Sequence, residues 1–334
     1  MSRGRISLRG RLEGWLQQQW YGRSDVHPAL AILEPLFASA VQLRNAAYRR
    51  GMAASRRFEV PVIVVGNLTV GGAGKTPLVQ WIANHLAGAG YRPGIVSRGY
   101  GGSGVVGPRQ VEAGSDPWLV GDEPVLLAAR TGLPLYVDPE RCRAVEALLS
   151  HHDCSVVVAD DGLQHNALQR DVEIVVVDGD RRFGNGHLLP AGPLREPLAR
   201  LASVSLVVCN GGTPGVGEWG MSLVAGKAIH LVTGQVRELA AFAAERVVAV
   251  AGIGNPGRFF RLLRGAGLEF EERPFPDHHR FRREDLAGGG RIVLMTEKDA
   301  VKCRGLALPS GWYVPVEARL APEFGQRLIQ LIRR

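Results

Sequence analysis

The sequence predicts an α/β protein: a parallel sheet with helices on both faces, followed by a smaller second α/β domain. Three observations lead there. Residues 60–86, VPVIVVGNLTVGGAGKTPLVQWIANHL, pass from a β-branched strand through a Gly-rich turn into an apolar pattern of helical period (Leu78, Val79, Ile82, Leu86). Near-continuous apolar runs recur downstream, as in strands buried on both faces. At 334 residues, 46% hydrophobic and 22% charged, the chain exceeds one ordinary domain and has the apolar content for a large core.

The first element is an N-terminal segment, residues 1–57. It holds ten arginines (3, 5, 9, 11, 23, 44, 49, 50, 56 and 57) against Glu13, Asp25 and Glu34, a net of +7, so about +1 of the total +8 is left for the remaining 277 residues. A nearly neutral body argues against a nucleic-acid enzyme, whose basic residues spread over the catalytic surface. The segment also carries Trp15, Trp20, Tyr21 and the run LAILEPLFASAVQL, which is broken by Glu34 and Pro35 and too short to span a bilayer. Aromatic anchors with Arg suit an amphipathic helix lying on an anionic membrane; the same pattern equally suits a helix packed on the protein's own core. No clean apolar stretch with a small-residue cleavage site marks a signal peptide. Cys142, Cys154, Cys209 and Cys303 lack paired or metal spacing and read as buried or incidental thiols of a reducing compartment.

Residues 58–212 form the predicted main domain, a P-loop NTPase-type sheet. In strand Val60–Val65 and its sequel, Thr69, Gly71, Gly72, Ala73 and Gly74 form a turn whose N–H groups converge on a phosphate at a helix start. Lys75 would reach the β- and γ-phosphates and Thr76 would offer its hydroxyl to Mg²⁺. Pro77 suits the first helical turn. The usual spacing is G-x-x-x-x-G-K-[ST], and Thr69 stands where the first glycine belongs. Further strands are expected at Pro93–Ser97, Leu133–Val137, Ser155–Ala159, Val172–Val177 and Ser205–Cys209. The Gly/Pro-rich stretch 211–220 reads as a linker. Residues 213–334 then form the smaller domain, with strands at Ala228–Val232, Val247–Ala251, Arg291–Met295 and Trp312–Val316.

Several stretches carry candidate chemistry. Strand 155–159 ends in Asp160 and Asp161, where a carboxylate downstream of a phosphate loop holds Mg²⁺. GDEP (121–124) places Asp122 and Glu123 at a helix start, where acids also serve as caps. PDHHRF (276–281) places Asp277, His278 and His279 in a loop, where a His opposite a carboxylate can position and deprotonate a hydroxyl. SRGYGG (97–102) follows a strand at the sheet edge and contains Arg98. Residues 178–197, DGDRRFGNGHLLPAGPLREP, mix Arg181, Arg182 and Arg195 with Asn185, Phe183, Leu188 and Leu189, which suits a ligand bearing phosphate and acyl chains; an irregular surface connection is the plainer alternative.

Taken in order, GNLTVGGAGKTP (66–77), SRGYGG, GDEP, ADDGLQH (159–165), the 178–197 stretch, AGIGNPGRFF (251–260), FPDHHRF (275–281) and TEKDAVK (296–302) resemble the tetraacyldisaccharide 4′-kinase (lipid A 4′-kinase) family along most of the chain. Thr69 fits that family's pattern. The resemblance implies ATP- and Mg²⁺-dependent phosphorylation of the 4′-hydroxyl of an acylated glucosamine disaccharide 1-phosphate, peripheral on the cytoplasmic face of the bacterial inner membrane. It implies an active site between the two domains. Lys75 and Thr76 would hold the ATP phosphates and Mg²⁺, with Asp160, Asp161 and Glu123 serving the metal. Asp122 and His278 match the pair that orients and activates the sugar hydroxyl. Arg141 is a further phosphate contact, and Arg98, Arg182, Asn185 and Arg195 are candidates for the substrate. The N-terminal segment becomes a membrane dock whose removal would abolish vesicle binding and spare ATP binding.

Two rivals fit less well. A membrane-associated switch ATPase of the partitioning type needs a lysine where Val70 stands. A GTPase needs [NT]-K-x-D, whereas Thr296-Glu297-Lys298-Asp299 has its lysine one place late.

Overall fold

The computed structural model describes residues 8–22, 25–102 and 106–333. Arg3, Arg5 and Arg23 lie outside these, as do the side chains of Arg9, Arg11 and Glu13. Helices α1 (Leu8–Tyr21) and α2 (Pro28–Arg49) precede β1 (Val62–Gly66) and α3 (Lys75–Gly88). Then come β2 (Pro93–Ser97), β3 (Arg109–Gln110), α4 (Pro117–Val120), α5 (Asp122–Thr131), β4 (Leu135–Val137), α6 (Arg141–His151) and β5 (Val156–Asp160). They are followed by β6 (Val172–Asp178), β7 (Leu206–Asn210), β8 (Glu218–Ala225), β9 (Ala228–His230), β10 (Val236–Arg237) and β11 (Val247–Ala251). The chain closes with α7 (Pro256–Gly265), β12 (Phe270–Pro274), β13 (Ile292–Thr296), α8 (Glu297–Cys303), β14 (Gly311–Val314), β15 (Val316–Leu320) and α9 (Pro322–Ile332).

The larger sheet has the order β15-β8-β7-β6-β1-β5-β2-β4-β3, with β1 between β5 and β6 and parallel to both. Every residue of β1 is buried, as its unbroken VIVVG run requires of a central parallel strand. Successive side chains point to opposite faces. Ile63 and Val65 therefore join Leu78 and Ile82 of α3, Val125 of α5 and Phe324 and Leu328 of α9 in one core. Val62 and Val64 join Val145 and Leu148 of α6 in the other. Burial of each large aliphatic side chain contributes roughly 1.5–3 kcal/mol, so the helices on both faces are held by packing.

The smaller sheet, β10-β9-β14-β13-β11-β12, has its own cores around Phe259, Phe260 and Trp312 on one side and Phe281 and Met295 on the other. The division between the sheets departs from the linear reading. Glu218–Gly220, expected in a linker, opens β8 of the larger sheet. Strand β15 and helix α9 return to that sheet at the C-terminal end. Residues 228–314 thus form the second unit, and the chain crosses at Gly226–Lys227 and back at Pro315, where Gly226 N–H donates to Pro315 O at 2.9 Å. Residues 211–220 mislead because five glycines and a proline mask a strand whose neighbours supply its packing.

At the N-terminus the helices pack part of their apolar surface on the body and leave part of it exposed. Trp20 is buried and its indole N–H donates to Pro190 O at 2.9 Å, so it is a core anchor, not a lipid-facing one. Val41 is buried as well, while Ile32, Leu36 and Leu43 of α2 are 72%, 67% and 71% exposed. Among the described residues no helix is long and apolar enough to cross a membrane.

Candidate active site

The phosphate loop is shaped by two glycines. Gly74, the residue before α3, has φ 90°, and a Cβ there would lie 2.0 Å from Asn210 Nδ2. Gly71 has φ 107°, again a conformation that side chains disfavour. Thr69 needs no such freedom: it forms an antiparallel bridge with Leu194, extended backbone that any residue adopts. Lys75 Nζ lies 3.1 Å from Asn67 Oδ1 and 3.3 Å from Asp161 Oδ1. The Asn67 amide donates to Thr69 O and Gly71 O, bracing the turn from inside. Sequence reasoning missed Asn67 because an Asn after a strand has many uses; Asn210, whose amide donates to Ala73 O, was missed likewise. Thr76 sits half-buried one residue after Lys75.

Parallel register places Asp160 beside Val65, at the end of β1 where the loop begins. Asp160 is 1% exposed, and its Oδ1 has no hydrogen-bond partner. Burial, with the carboxylates of Glu123 and Asp161 adding to it, pushes its pKa up to about 7. Burial pushes Asp161 up too, but Lys75 and Arg195 outweigh it and the net shift is downward. Arg195 Nη1 is 3.5 Å from Asp161 Oδ1. Arg141 is buried and donates to Pro139 O and Asp161 O; burial brings its guanidinium down to about 10, against the field of Asp161. Arg98 is exposed, and its charge acts on Arg141 from nearby. Lys75, Arg141 and Arg195 thus gather around Asp161.

The second domain completes the cluster. His278 Nδ1 lies 3.1 Å from both carboxylate oxygens of Asp122, although 156 positions separate the two in sequence. Asp122 opens α5 and is buried, and Gly121 before it has φ 95°, where a Cβ would meet Tyr100 O at 2.6 Å. The SRGYGG stretch is thereby explained. Tyr100 meets the His278 ring edge-on at 5.1 Å, and a Cβ on Gly101 would crowd Nδ1 at 3.0 Å. Burial would raise the Asp122 pKa, but the Lys298 ammonium, the His278 hydrogen bond and Lys302 outweigh it, and the group lies below its ordinary value. Lys298 Nζ bridges Glu123 Oε1 at 2.8 Å and Asp277 Oδ1 at 3.1 Å, and its pKa is driven up by these acids despite burial. The signal for Lys298 lay in TEKDAVK, where its displaced position excluded base reading without suggesting a partner. Asp299 is fully buried, accepting from Gly252 N–H and Thr296 Oγ1, and so is not available to read a base as in a GTPase.

The 178–197 stretch divides. Arg195 reaches the cluster, whereas Arg182 is engaged by Glu218 in a two-pronged pair at 2.8 and 2.6 Å. Asn185 pins its own loop, donating to Gln19 O and Ala191 O and accepting from His187 N–H. Phe183 and Leu188, expected to suit a ligand's acyl chains, pack on the α6-side core. His279 pairs with Asp285 at 3.0 Å and stacks on Phe275, away from the Asp122 contact.

Among the described residues no three acidic, His or Cys side chains form a ready metal cage. Asp160, with an unpartnered buried oxygen, fits one ligand of a cation whose remaining positions come from phosphate and water, the usual habit of Mg²⁺.

The family model described as tetraacyldisaccharide-1-P 4′-kinase matches residues 26–333. The tetraacyldisaccharide 4′-kinase of Nitrosococcus oceani is 52% identical over 316 residues, covering 94% of this chain and 93% of that protein. Its counterpart from Aeromonas hydrophila is 50% identical over 311 residues, covering 91% and 92%. A crystal structure of LpxK from Aquifex aeolicus, described as an "apo" form in complex with ATP, superposes with a TM-score of 0.75 at 27% identity over 91% of this chain and 98% of that one. With a phosphate loop, an acid pair at the end of β5 beside it and an Asp–His contact joined across two sheets, and with relatives matched over nearly its whole length, this chain belongs to the tetraacyldisaccharide-1-P 4′-kinase family.

Proposed function

We propose that this chain transfers the γ-phosphoryl group of ATP to the 4′-hydroxyl of a tetraacylated glucosamine disaccharide 1-phosphate. The observation that carries the reading is the Asp122–His278 contact, with Asp122 next in sequence to Glu123, whose charge reaches Asp160 beside the Lys75 loop. A hydroxyl held by the pair and a phosphate held by the loop would thus meet in one cleft. Lys75 neutralises charge on the transferring group, where a fixed cation acts most strongly. Asp122, held ionised by Lys298, His278 and Lys302, accepts a hydrogen bond, and with His278 it orients the hydroxyl in line and takes up its proton. The transition state of phosphoryl transfer is loose, so orientation matters more than basicity. Asp160, Asp161, Glu123 and Thr76 are suited to hold Mg²⁺, which when bound screens the phosphate charge. Arg141, Arg98 and Arg195 are suited to anionic oxygens of either substrate.

The exposed Ile32, Leu36 and Leu43 of α2, together with Arg49 and Arg50 at its end, support docking on an anionic membrane, as a peripheral protein of the cytoplasmic face of the inner membrane. Nothing in the nearly neutral body favours nucleic acid as a partner. Purified protein given ATP-Mg²⁺ and the detergent-dispersed disaccharide 1-phosphate should place a new phosphate on the lipid. ATP hydrolysis with an unmodified lipid would instead favour the switch ATPase.

A further inference from the structure

The N-terminal helices and the phosphate loop grip the same piece of chain from opposite sides. On one side, Asn185 N–H donates to Trp20 O at 2.8 Å and the Trp20 indole N–H donates to Pro190 O at 2.9 Å. Glu34 of α2 accepts from Leu188 N–H at 2.7 Å through Oε1 and contacts His187 Nδ1 at 2.8 Å through Oε2. A Cβ on Gly184 would stand 2.5 Å from Trp20 O, so the strand of contact is close at the backbone level. On the other side, Val70 N–H donates to Pro193 O at 2.8 Å, Arg195 N–H donates to Leu68 O at 2.6 Å, and Thr69 bridges Leu194. The segment between is rigidly tied: Leu189 N–H donates to Leu194 O, and Gly192 N–H donates to Leu188 O. Leu194 is 1% exposed and Thr69 8%, so this ladder is shielded from water.

We propose that Trp20 and Glu34 are positioning residues of the nucleotide site, holding residues 184–195 as a strap that fixes the phosphate loop. The inference rests on the reading of residues 69–76 as a nucleotide cradle. Its physical basis is that a phosphate cradle works only when its N–H groups are fixed beforehand. The loop turns through two positive-φ glycines, Gly71 and Gly74, so its backbone is held in shape by the bonds it makes as well as by the burial of Leu68 and Ala73. Val70 N–H and Leu68 O lie on the strap side, and Asn67 braces the inner side. Glu34, which breaks the apolar run of α2, thereby has a use that membrane docking does not require. The N-terminal segment then serves two purposes, and its removal would weaken ATP binding in water, contrary to the expectation from sequence.

The test uses the full chain in detergent with no acceptor lipid, comparing wild type, Glu34→Ala, Glu34→Gln and Trp20→Phe. Affinity for a fluorescent ATP analogue and amide exchange across residues 66–74 in nucleotide-free protein are the readouts. Glu34→Ala leaves Leu188 N–H and His187 without their acceptor. It should weaken the analogue roughly fivefold, the scale of one hydrogen bond, and speed exchange in the loop. Glu34→Gln keeps an acceptor for Leu188 N–H and should recover most of the affinity. Trp20→Phe keeps the apolar burial, loses only the N–H donor, and should fall between. In turnover the KM for ATP should rise while the KM for the lipid stays put, a split that a general loss of folding would not produce. Wild-type affinity and wild-type exchange in folded Glu34→Ala would overturn the strap. A wild-type chain that fails to bind the analogue would overturn the nucleotide reading itself, and the strap with it.

Discussion

The phosphate loop and the Asp122–His278 contact are assembled by different means. The loop's turn is written in consecutive residues, where strand β1 ends, Gly71 and Gly74 turn the chain through positive φ and α3 begins at Lys75, and bonds to residues 193–195 hold it from outside. The Asp–His contact joins the start of α5 in the larger unit to a loop of the smaller one, 156 positions on. The loop is therefore the local half of the comparison, and the Asp–His contact the long-range half, made only where the two units meet. Damage to the first should lower turnover most. Damage to the second should leave nucleotide binding and spoil the transfer.

Lys75→Ala tests the local half and carries the largest expected effect. It removes a cation whose Nζ sits 3.3 Å from Asp161 and 3.1 Å from Asn67. Turnover should fall by roughly 10³-fold with the thermal unfolding midpoint nearly unchanged, as kinase assays and calorimetry would read. Near-normal activity in the folded variant would break the loop's half of the comparison.

Asp122→Ala and His278→Ala test the long-range half. Each should lower kcat on the order of 10²-fold while changing the KM for ATP little, because neither touches the loop. Asp160→Asn lies at the seam between the halves. Its unpartnered Oδ1 and its pKa near 7 suit a carboxylate that ionises fully only beside a cation. The variant should need about tenfold more Mg²⁺ for half-maximal rate, which a metal titration of activity measures, one lost charged ligand being worth a kcal/mol or more.

The smallest effect belongs to a residue outside both halves. Arg182→Ala should change turnover less than about twofold, because its guanidinium faces Glu218 and not the cleft, and should cost about 1 kcal/mol in denaturant unfolding. Glu218 is held below its ordinary pKa by the Arg182 fork, and its Gly215 N–H bond adds to that. A depressed carboxylate stabilises the fold above its unfolded pKa and loses that contribution as pH falls. The destabilisation by Arg182→Ala should therefore be full at pH 7 and fade as the medium passes below pH ~4.

How much of this was legible follows the same divide. Lys75, Thr76 and the glycines stand in one motif, and the parallel strands beside them read from their apolar runs. Asp122 and His278 were paired through resemblance to a family; nothing in either local segment points to the other. The first three residues of strand β8, Glu218–Gly220, were read into a linker because the glycine-rich stretch before them hides a strand that pairs with β7 and β15. Asn67, Lys298 and Asn210 escaped because their partners lie in the fold, and Arg182 and Asn185 were overvalued because an Arg-rich, Asn-containing loop looks the same whether it binds a ligand or itself. Trp20 went the same way, an indole suited to a membrane that is instead buried on Pro190.

The central claim is that Asp122 and His278 act as one unit in the proposed transfer, and a double-mutant cycle on kcat tests it most directly. Wild type, Asp122→Ala, His278→Ala and the double variant would be assayed with saturating ATP-Mg²⁺ and the lipid disaccharide 1-phosphate. The 3.1 Å contact predicts that the double variant is little slower than the slower single variant, because the first substitution already dissolves the pair. Losses that multiply would mean two independent roles, and would contradict the account even if both residues proved essential.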